Sequence, residues 1–274
     1  LDCIKELKYL KNLSMAFNNS YRGLSNEGLK HLRDGLTPLT SLQRLSLVFR
    51  NCPKVSDEGL KYLKDGLIPL KSLQNLFLDF SSCEKISDEG FKHLKNGFSP
   101  LTSLQHLSLI FRISDEGLNH LKGGLIALKS LQSLSLDFGI CLNISNQGLK
   151  YLKDGLIPLT SLQHLSLNFG NSSNVSDEGL KYLKDGLIPL TSLQHLSLNL
   201  EACYKISGEG LKYLKESLMP LTSLQHLSLI FRISDEGLKN LKDGFTLLTS
   251  LQHLLLVFRI SDEGFKHLKN TLIP

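Results

Sequence analysis

Four histidines, His164, His195, His226 and His253, each follow a glutamine in the segment Leu-Gln-His-Leu, and His106 does the same nearer the start of the chain. Imidazole changes charge near neutral pH and ligates zinc or copper through a ring nitrogen. If the segment recurs on adjacent strands, successive imidazoles stand about 5 Å apart, and a neighbouring pair could share such an ion. Structural zinc, however, takes four ligands, and no carboxylate or thiolate accompanies the column in a closing geometry. Duplication of the segment explains the recurrence. No metal site and no cofactor are expected, and the column reads as a hydrogen-bonding or pH-sensitive contact surface.

The other chemistry-bearing residues also recur rather than converge. Asp57-Glu58 returns as Asp88-Glu89, Asp115-Glu116, Asp177-Glu178, Asp235-Glu236 and Asp262-Glu263. An acidic pair just after Ser56 and its equivalents suits the positive N-terminal end of a helix better than the spaced ligand loop of a calcium site. Cys52, Cys83, Cys141 and Cys203 share one column and Cys3 precedes it. An odd count outside any disulfide framework predicts reduced, packed thiols and an intracellular, cytoplasmic setting, with pairing of Cys52 and Cys83 of adjacent units in a secreted protein as the alternative. Any residue proposed as catalytic would occur in several copies, whereas an active site needs one special place, so no enzyme is expected. The formal charge of +5 is spread along the chain without aromatic interleaving, so no nucleic acid is expected as a partner. No apolar run approaches the roughly 20 residues a membrane helix needs, so no membrane is expected either.

What must position these residues is a repeat. Setting the first leucine of the Leu-Thr-Ser-Leu-Gln-His-Leu type as position one gives nine consecutive units, starting at 7, 39, 70, 101, 128, 159, 190, 221 and 248 and spaced by 27 to 32 residues. Residues 1–274 therefore read as a single array, with 1–6 as a partial N-terminal cap. Each unit shows two periods. Leu45, Leu47 and Phe49 alternate with other residues, as in a half-buried strand. Leu60, Leu63 and Leu67 recur at helical spacing. Ser56 sits at the N-cap position, and Gly66 and Pro69 are expected to stop the helix. A strand and a short helix cannot bury both their faces alone, so stability must come from neighbouring copies.

The run Leu39-Thr40-Ser41-Leu42-Gln43-Arg44-Leu45-Ser46-Leu47 resembles a leucine-rich repeat. The segments CPKVSDEGL at 52–60 and CEKISDEGF at 83–91 resemble the cysteine-containing subclass, and the unit length and helical side are similar to the ribonuclease-inhibitor type. The resemblance implies an α/β solenoid: a curved horseshoe with a parallel β-sheet on the concave face and α-helices on the convex face. Phenylalanine replaces the family's usual Asn or Cys after the strand at 17, 49, 80, 111, 138, 169, 231 and 258, with Leu200 in one copy. This predicts a phenylalanine spine.

Function then lies in what the repeat leaves variable. If Leu45, Leu47 and Phe49 face inward, Arg44, Ser46, Val48 and Arg50 face the concave surface. The first outward column includes Arg44, His106, His164, His195, His226 and His253. The second is serine except at Phe77 and Leu255. The third reads Val48, Asp79, Ile110, Asp137, Asn168, Asn199, Ile230 and Val257 after Ala16, and the fourth includes Arg50, Arg112, Glu201, Arg232 and Arg259. The varied columns predict a non-enzymatic scaffold that recognises protein partners on its concave sheet. A structural subunit held by its ends or convex helices is the alternative, and family analogy adds the substrate receptor of a degradation complex. The ends, still in repeat phase, predict flanking segments or end-to-end self-association. Nine glycines in one column, from Gly28 through Gly179 to Gly264, predict positions where a Cβ would strike the adjacent unit.

Overall fold

The computed structural model describes residues 5–17, 24–232, 241 and 244–258. They contain nine parallel strands whose order follows the chain: β1 (Asn12–Ala16), β2 (Arg44–Val48), β3 (Asn75–Asp79), β4 (His106–Ile110), β5 (Ser133–Asp137), β6 (His164–Asn168), β7 (His195–Leu200), β8 (His226–Phe231) and β9 (His253–Val257). Between them run α1 (Asn26–Leu36), α2 (Asp57–Leu67), α3 (Asp88–Phe98), α4 (Asp115–Leu125), α5 (Asn146–Leu156), α6 (Asp177–Leu187) and α7 (Gly208–Leu218). This is the leucine-rich-repeat α/β fold. The chain divides into two compact units, 1–136 and 137–274.

In the first unit β1 to β4 pair in register, so that Leu45, Leu76 and Leu107 align, as do Ser46, Phe77 and Ser108. In the second, β6 to β9 pair likewise, aligning His164, His195, His226 and His253. Leucines at the inward strand positions and on the helices are buried together, Leu47, Leu60, Leu63 and Leu67 among them. The phenylalanine spine is present. Phe17, Phe49, Phe80 and Phe111 stack at centroid separations of 5.2, 4.6 and 5.0 Å. Phe138 packs on Phe169 and Phe231 on Phe258, with Leu200 buried in its turn.

The thiols fill the bridge behind this spine. Cys52, Cys83, Cys141 and Cys203 are buried as thiols. Cys83 Sγ donates to Phe49 O at 2.8 Å and Cys203 Sγ to Ser172 O at 3.3 Å. Burial pushes both thiols up to about 12, which keeps them protonated and unreactive. Ser172 takes the cysteine column in its repeat and is also buried. Cys3 lies outside the described residues.

Two sequence expectations about glycine are met differently. Gly66 was expected to end its helix, yet α2 runs through it to Leu67. A Cβ on Gly66 would come within 3.1 Å of the Arg33 Cα, and one on Gly186 within 3.1 Å of the Lys153 Cα. These glycines let consecutive helices approach. The other column acts at the helix start. A Cβ on Gly90 would stand 2.6 Å from Asp57 Oδ1 and 2.7 Å from Leu60 Cδ1; one on Gly179 would stand 2.7 Å from Asn146 Oδ1 and 3.0 Å from Val175 Cγ1. Gly237 and Gly264 lie outside the described residues.

The carboxylate that crowds Gly90, Gly117 and Gly210 explains the acidic row. Asp57 Oδ1 accepts from Ser87 N at 2.8 Å and its Oδ2 from Ser87 Oγ at 2.7 Å. Asp177 does the same for Ser207 at 2.7 and 2.6 Å, and Asn146 pairs with Ser176 through N and Oγ. The first helical residue of one repeat therefore holds the N-cap serine of the next. The row is a relay between repeats as well as favourable charge at helix N-termini; Asp235-Glu236 and Asp262-Glu263 lie outside the described residues. Gly179→Ala must displace Asn146 from two hydrogen bonds to Ser176. We expect a loss of about 1–2 kcal/mol despite the better helix propensity of alanine, read from urea unfolding. An unchanged midpoint would remove the steric explanation.

Candidate functional site: the outward sheet face

Alternation puts the odd members of each strand outward. Arg44, Arg50, His106, Arg112, Glu201, Arg232, His253 and Val257 are exposed. Val48, Ile110, Asp137, His164, Asn168, His195, Asn199, His226 and Ile230 are half-buried. Arg259 lies outside the described residues, as do Asn18 and His267. Of the helix histidines expected to be half-buried, His93 and His120 are, while His31 is exposed.

Asp79 departs from the expectation of an exposed recognition residue. Its side chain is fully buried. Arg50 Nε donates to Asp79 Oδ2 at 2.6 Å, while Ser81 N and Ser81 Oγ donate to Oδ1 at 2.9 and 2.6 Å. The charge is compensated where it lies, and Arg50 is committed to that task. Asp137 Oδ1 likewise accepts from Gly139 N, Asn168 Oδ1 from Gly170 N and Asn199 Oδ1 from Glu201 N, at 2.8, 3.0 and 3.0 Å. Asn168 Nδ2 adds a bond to Asp137 Oδ1 at 2.9 Å. A short acceptor side chain bonding the N–H two residues on closes a local turn.

The third column therefore varies for a backbone reason that sequence reasoning missed. Asp or Asn stands in four of the longer repeats, at 79, 137, 168 and 199, where the bridge turns away from the strand. Ile110, Ile230 and Val257 stand in the short repeats. The covariation with repeat length was the available signal. Val48 is the exception among the inner long repeats; its bridge turns at Asn51 with φ 56°, as that of the Asp79 repeat does at Ser82 with φ 63°.

In the second unit the histidines form a stacked column. Ring centroids of His164 and His195, His195 and His226, and His226 and His253 are 4.2, 4.1 and 4.3 Å apart, with interplanar angles of 16°, 9° and 8°. Near-parallel rings do not converge their nitrogens on one tetrahedral ion at about 2.0–2.1 Å. Among the described residues no group of three or more His, Cys, Asp or Glu is arranged to hold a metal ion. The next outward positions on these strands are Ser166, Ser197, Ser228 and Leu255, so no carboxylate stands beside the rings there.

Burial first, and then the His164 and His253 imidazoles, hold the His195 pKa below its ordinary value of 6.5; burial, His195 and His253 do the same for His226. A base whose folded pKa is depressed binds fewer protons folded than unfolded. Its stabilising contribution is complete above the unfolded value and declines as pH falls through it. The melting temperature should therefore drop between pH 7.5 and pH 5.5, and less so in a His195→Asn/His226→Asn variant carrying the residue found at Asn75. Equal drops in both proteins would dismiss the column as the cause.

In the first unit the outward face holds a hollow of about 550 Å³ around Phe77, with Arg44, Ser46, Asn75, His106 and Ser108 on its rim. Phe77 stands where its aligned neighbours are Ser46 and Ser108, so the ring is flanked by small residues.

No family model matches the sequence. No curated protein matches it either. Among solved structures, the leucine-rich repeat-containing protein LegL7 from Legionella pneumophila aligns over 96% of this chain and 90% of its own, at 18% identity and a TM-score of 0.44. TLR13 in its complex with ssRNA13 aligns over 92% of this chain at 19% identity and a TM-score of 0.40; the alignment spans 41% of the TLR13 chain. Among the described residues, no helix is long and apolar enough to cross a membrane.

Proposed function

We propose that this chain is a non-enzymatic protein-binding scaffold, its nine repeats serving as one array, whose outward sheet residues select the partner. The supporting observation is a division of labour. The inward strand positions, the helix-start aspartates and both glycine columns are committed to contacts within and between repeats. Arg44, Arg112, Glu201 and Arg232 vary and stay exposed on the other side. The buried, protonated thiols fit a reducing intracellular compartment.

A second reading, a structural subunit of a larger assembly, draws on one feature. Ile68, Ile126, Ile157, Ile188 and Met219 follow five of the seven described helices and are 38–44% exposed. Partners isolated from native extract and bound to purified variants separate the two. Arg44→Ala/Arg112→Ala/His195→Asn should weaken binding at least tenfold, and Ile157→Ser/Ile188→Ser should not. The reverse outcome favours the assembly. Arg50→Ala is a poor probe, because it leaves Asp79 buried without its counter-charge.

A further inference from the structure

We infer that the hollow around Phe77 on the first unit's sheet face takes an extended acidic peptide segment that lays an apolar side chain against the Phe77 ring and a carboxylate on Arg44. The inference rests on the protein-binding reading and names the chemistry of the partner.

Three observations define the occupant. Phe77 puts an aromatic ring in the outward column that Ser46 and Ser108 hold on either side. The ring is half-buried, and the serines leave room for a partner's side chain against it while offering hydroxyls to its backbone. Second, the flanking column aligns Arg44, Asn75 and His106 across the same three strands. Arg44 is exposed, and its guanidinium can accept a carboxylate in a bidentate pair. Third, the outward positions of β1 to β4 and the residues just after them carry Arg44, Arg50 and Arg112 against one carboxylate, Asp79, which is buried and held by Arg50 and Ser81. The face offers positive charge beside an apolar centre, and its complement is negative charge beside an apolar side chain.

The hollow reaches from Asn12 on β1 to Ser135 on β5. Five strands at about 4.8 Å spacing span roughly 20 Å, the length of about six extended residues. A single-stranded nucleic acid needs successive aromatic platforms along a basic groove. Here one ring lies between serines, which favours the peptide.

The test is selection of phage-displayed random dodecapeptides on the whole chain, followed by titration of the enriched peptide in synthetic form. The variants are Phe77→Ser, which restores the residue of the neighbouring strands, and Arg44→Glu; matched melting curves establish that both fold. Enriched sequences should place an aromatic or aliphatic residue within two positions of Asp or Glu. Affinity should fall at least tenfold on each variant and be lost when the peptide's acidic residues become lysine. Equal affinity for wild type and Phe77→Ser overturns the inference, as does enrichment of basic sequences or tighter binding of a mixed-sequence single-stranded RNA 20-mer at the same site. Peptides that ignore both variants but fail on His195→Asn/His226→Asn overturn this site while sparing the wider sheet-face reading. Peptides that fail only on Ile157→Ser/Ile188→Ser overturn both.

Discussion

Phe80→Ala should cost about 3–5 kcal/mol, the range for deleting a buried aromatic ring. Phe80 is 1% exposed and lies between Phe49 at 4.6 Å and Phe111 at 5.0 Å. Removing the ring takes away its own burial and leaves two neighbouring rings facing a void. Phe111 also meets Phe91 edge-on at 4.4 Å, so the cavity borders a second packing contact and cannot close by a simple shift. Phe80→Leu, the residue accepted at Leu200, should cost about 1 kcal/mol. Urea titrations report both. A Phe80→Ala midpoint near that of wild type, at constant slope, would show that the stack contributes little and that the leucines alone hold the repeats together.

Gly186→Val should be the most disruptive substitution on the helical side. A single Cβ there already comes within 3.1 Å of the Lys153 Cα. The clash is with backbone, so no rotamer change in α5 relieves it. Valine adds two methyl groups to that contact and a modest helix penalty. Helices α5 and α6 would have to separate, loosening leucines such as Leu152 and Leu183 that are now buried. A loss of about 3 kcal/mol or more is expected, with Gly186→Ala and Gly186→Ser both costing less. Ser217 already fills the equivalent slot in α7, buried, with its hydroxyl donating to Leu214 O at 2.6 Å. Wild-type stability in Gly186→Val would mean that the helices are not in close contact at this point.

The repeat and its two periods were legible in the sequence because leucine spacing is a property of one unit. The strand at Arg44–Val48 and the N-cap at Ser56 follow from reading a single copy, and the phenylalanine spine from aligning the copies. The histidine column was legible too, since register follows once copies are aligned; the rings stand at 4.1–4.3 Å rather than about 5 Å because they tilt into face-to-face contact. What escaped were contacts between unlike positions of neighbouring copies, and local turns. Gly66 looks like a helix stop in isolation and becomes a contact point only when α1 lies against it. Asp57 looks like helix-dipole charge until Ser87 of the next repeat is seen to donate to it. Asp79 looks like a surface carboxylate until the Arg50 guanidinium and the Ser81 amide close over it. In each case the missing information is a partner about thirty residues away or a turn whose geometry depends on bridge length.

The exposed columns are accordingly narrower as a recognition surface than their sequence variation suggests. Asp79, Asp137, Asn168 and Asn199 serve the backbone. On the proposed reading, choice of partner falls to the residues left uncommitted: Arg44, Phe77 and the histidines of the first and second columns, with Arg112, Glu201 and Arg232 of the fourth.

Hydroxyl-radical footprinting of the complex with a partner isolated from native extract tests this assignment most directly. Phe77, His195 and His226 on the sheet face should lose reactivity on binding, while Tyr151, Tyr182 and Tyr213 on the helices keep theirs. Protection of those tyrosines with unchanged Phe77 and histidines would place the partner on the helical side and contradict the assignment.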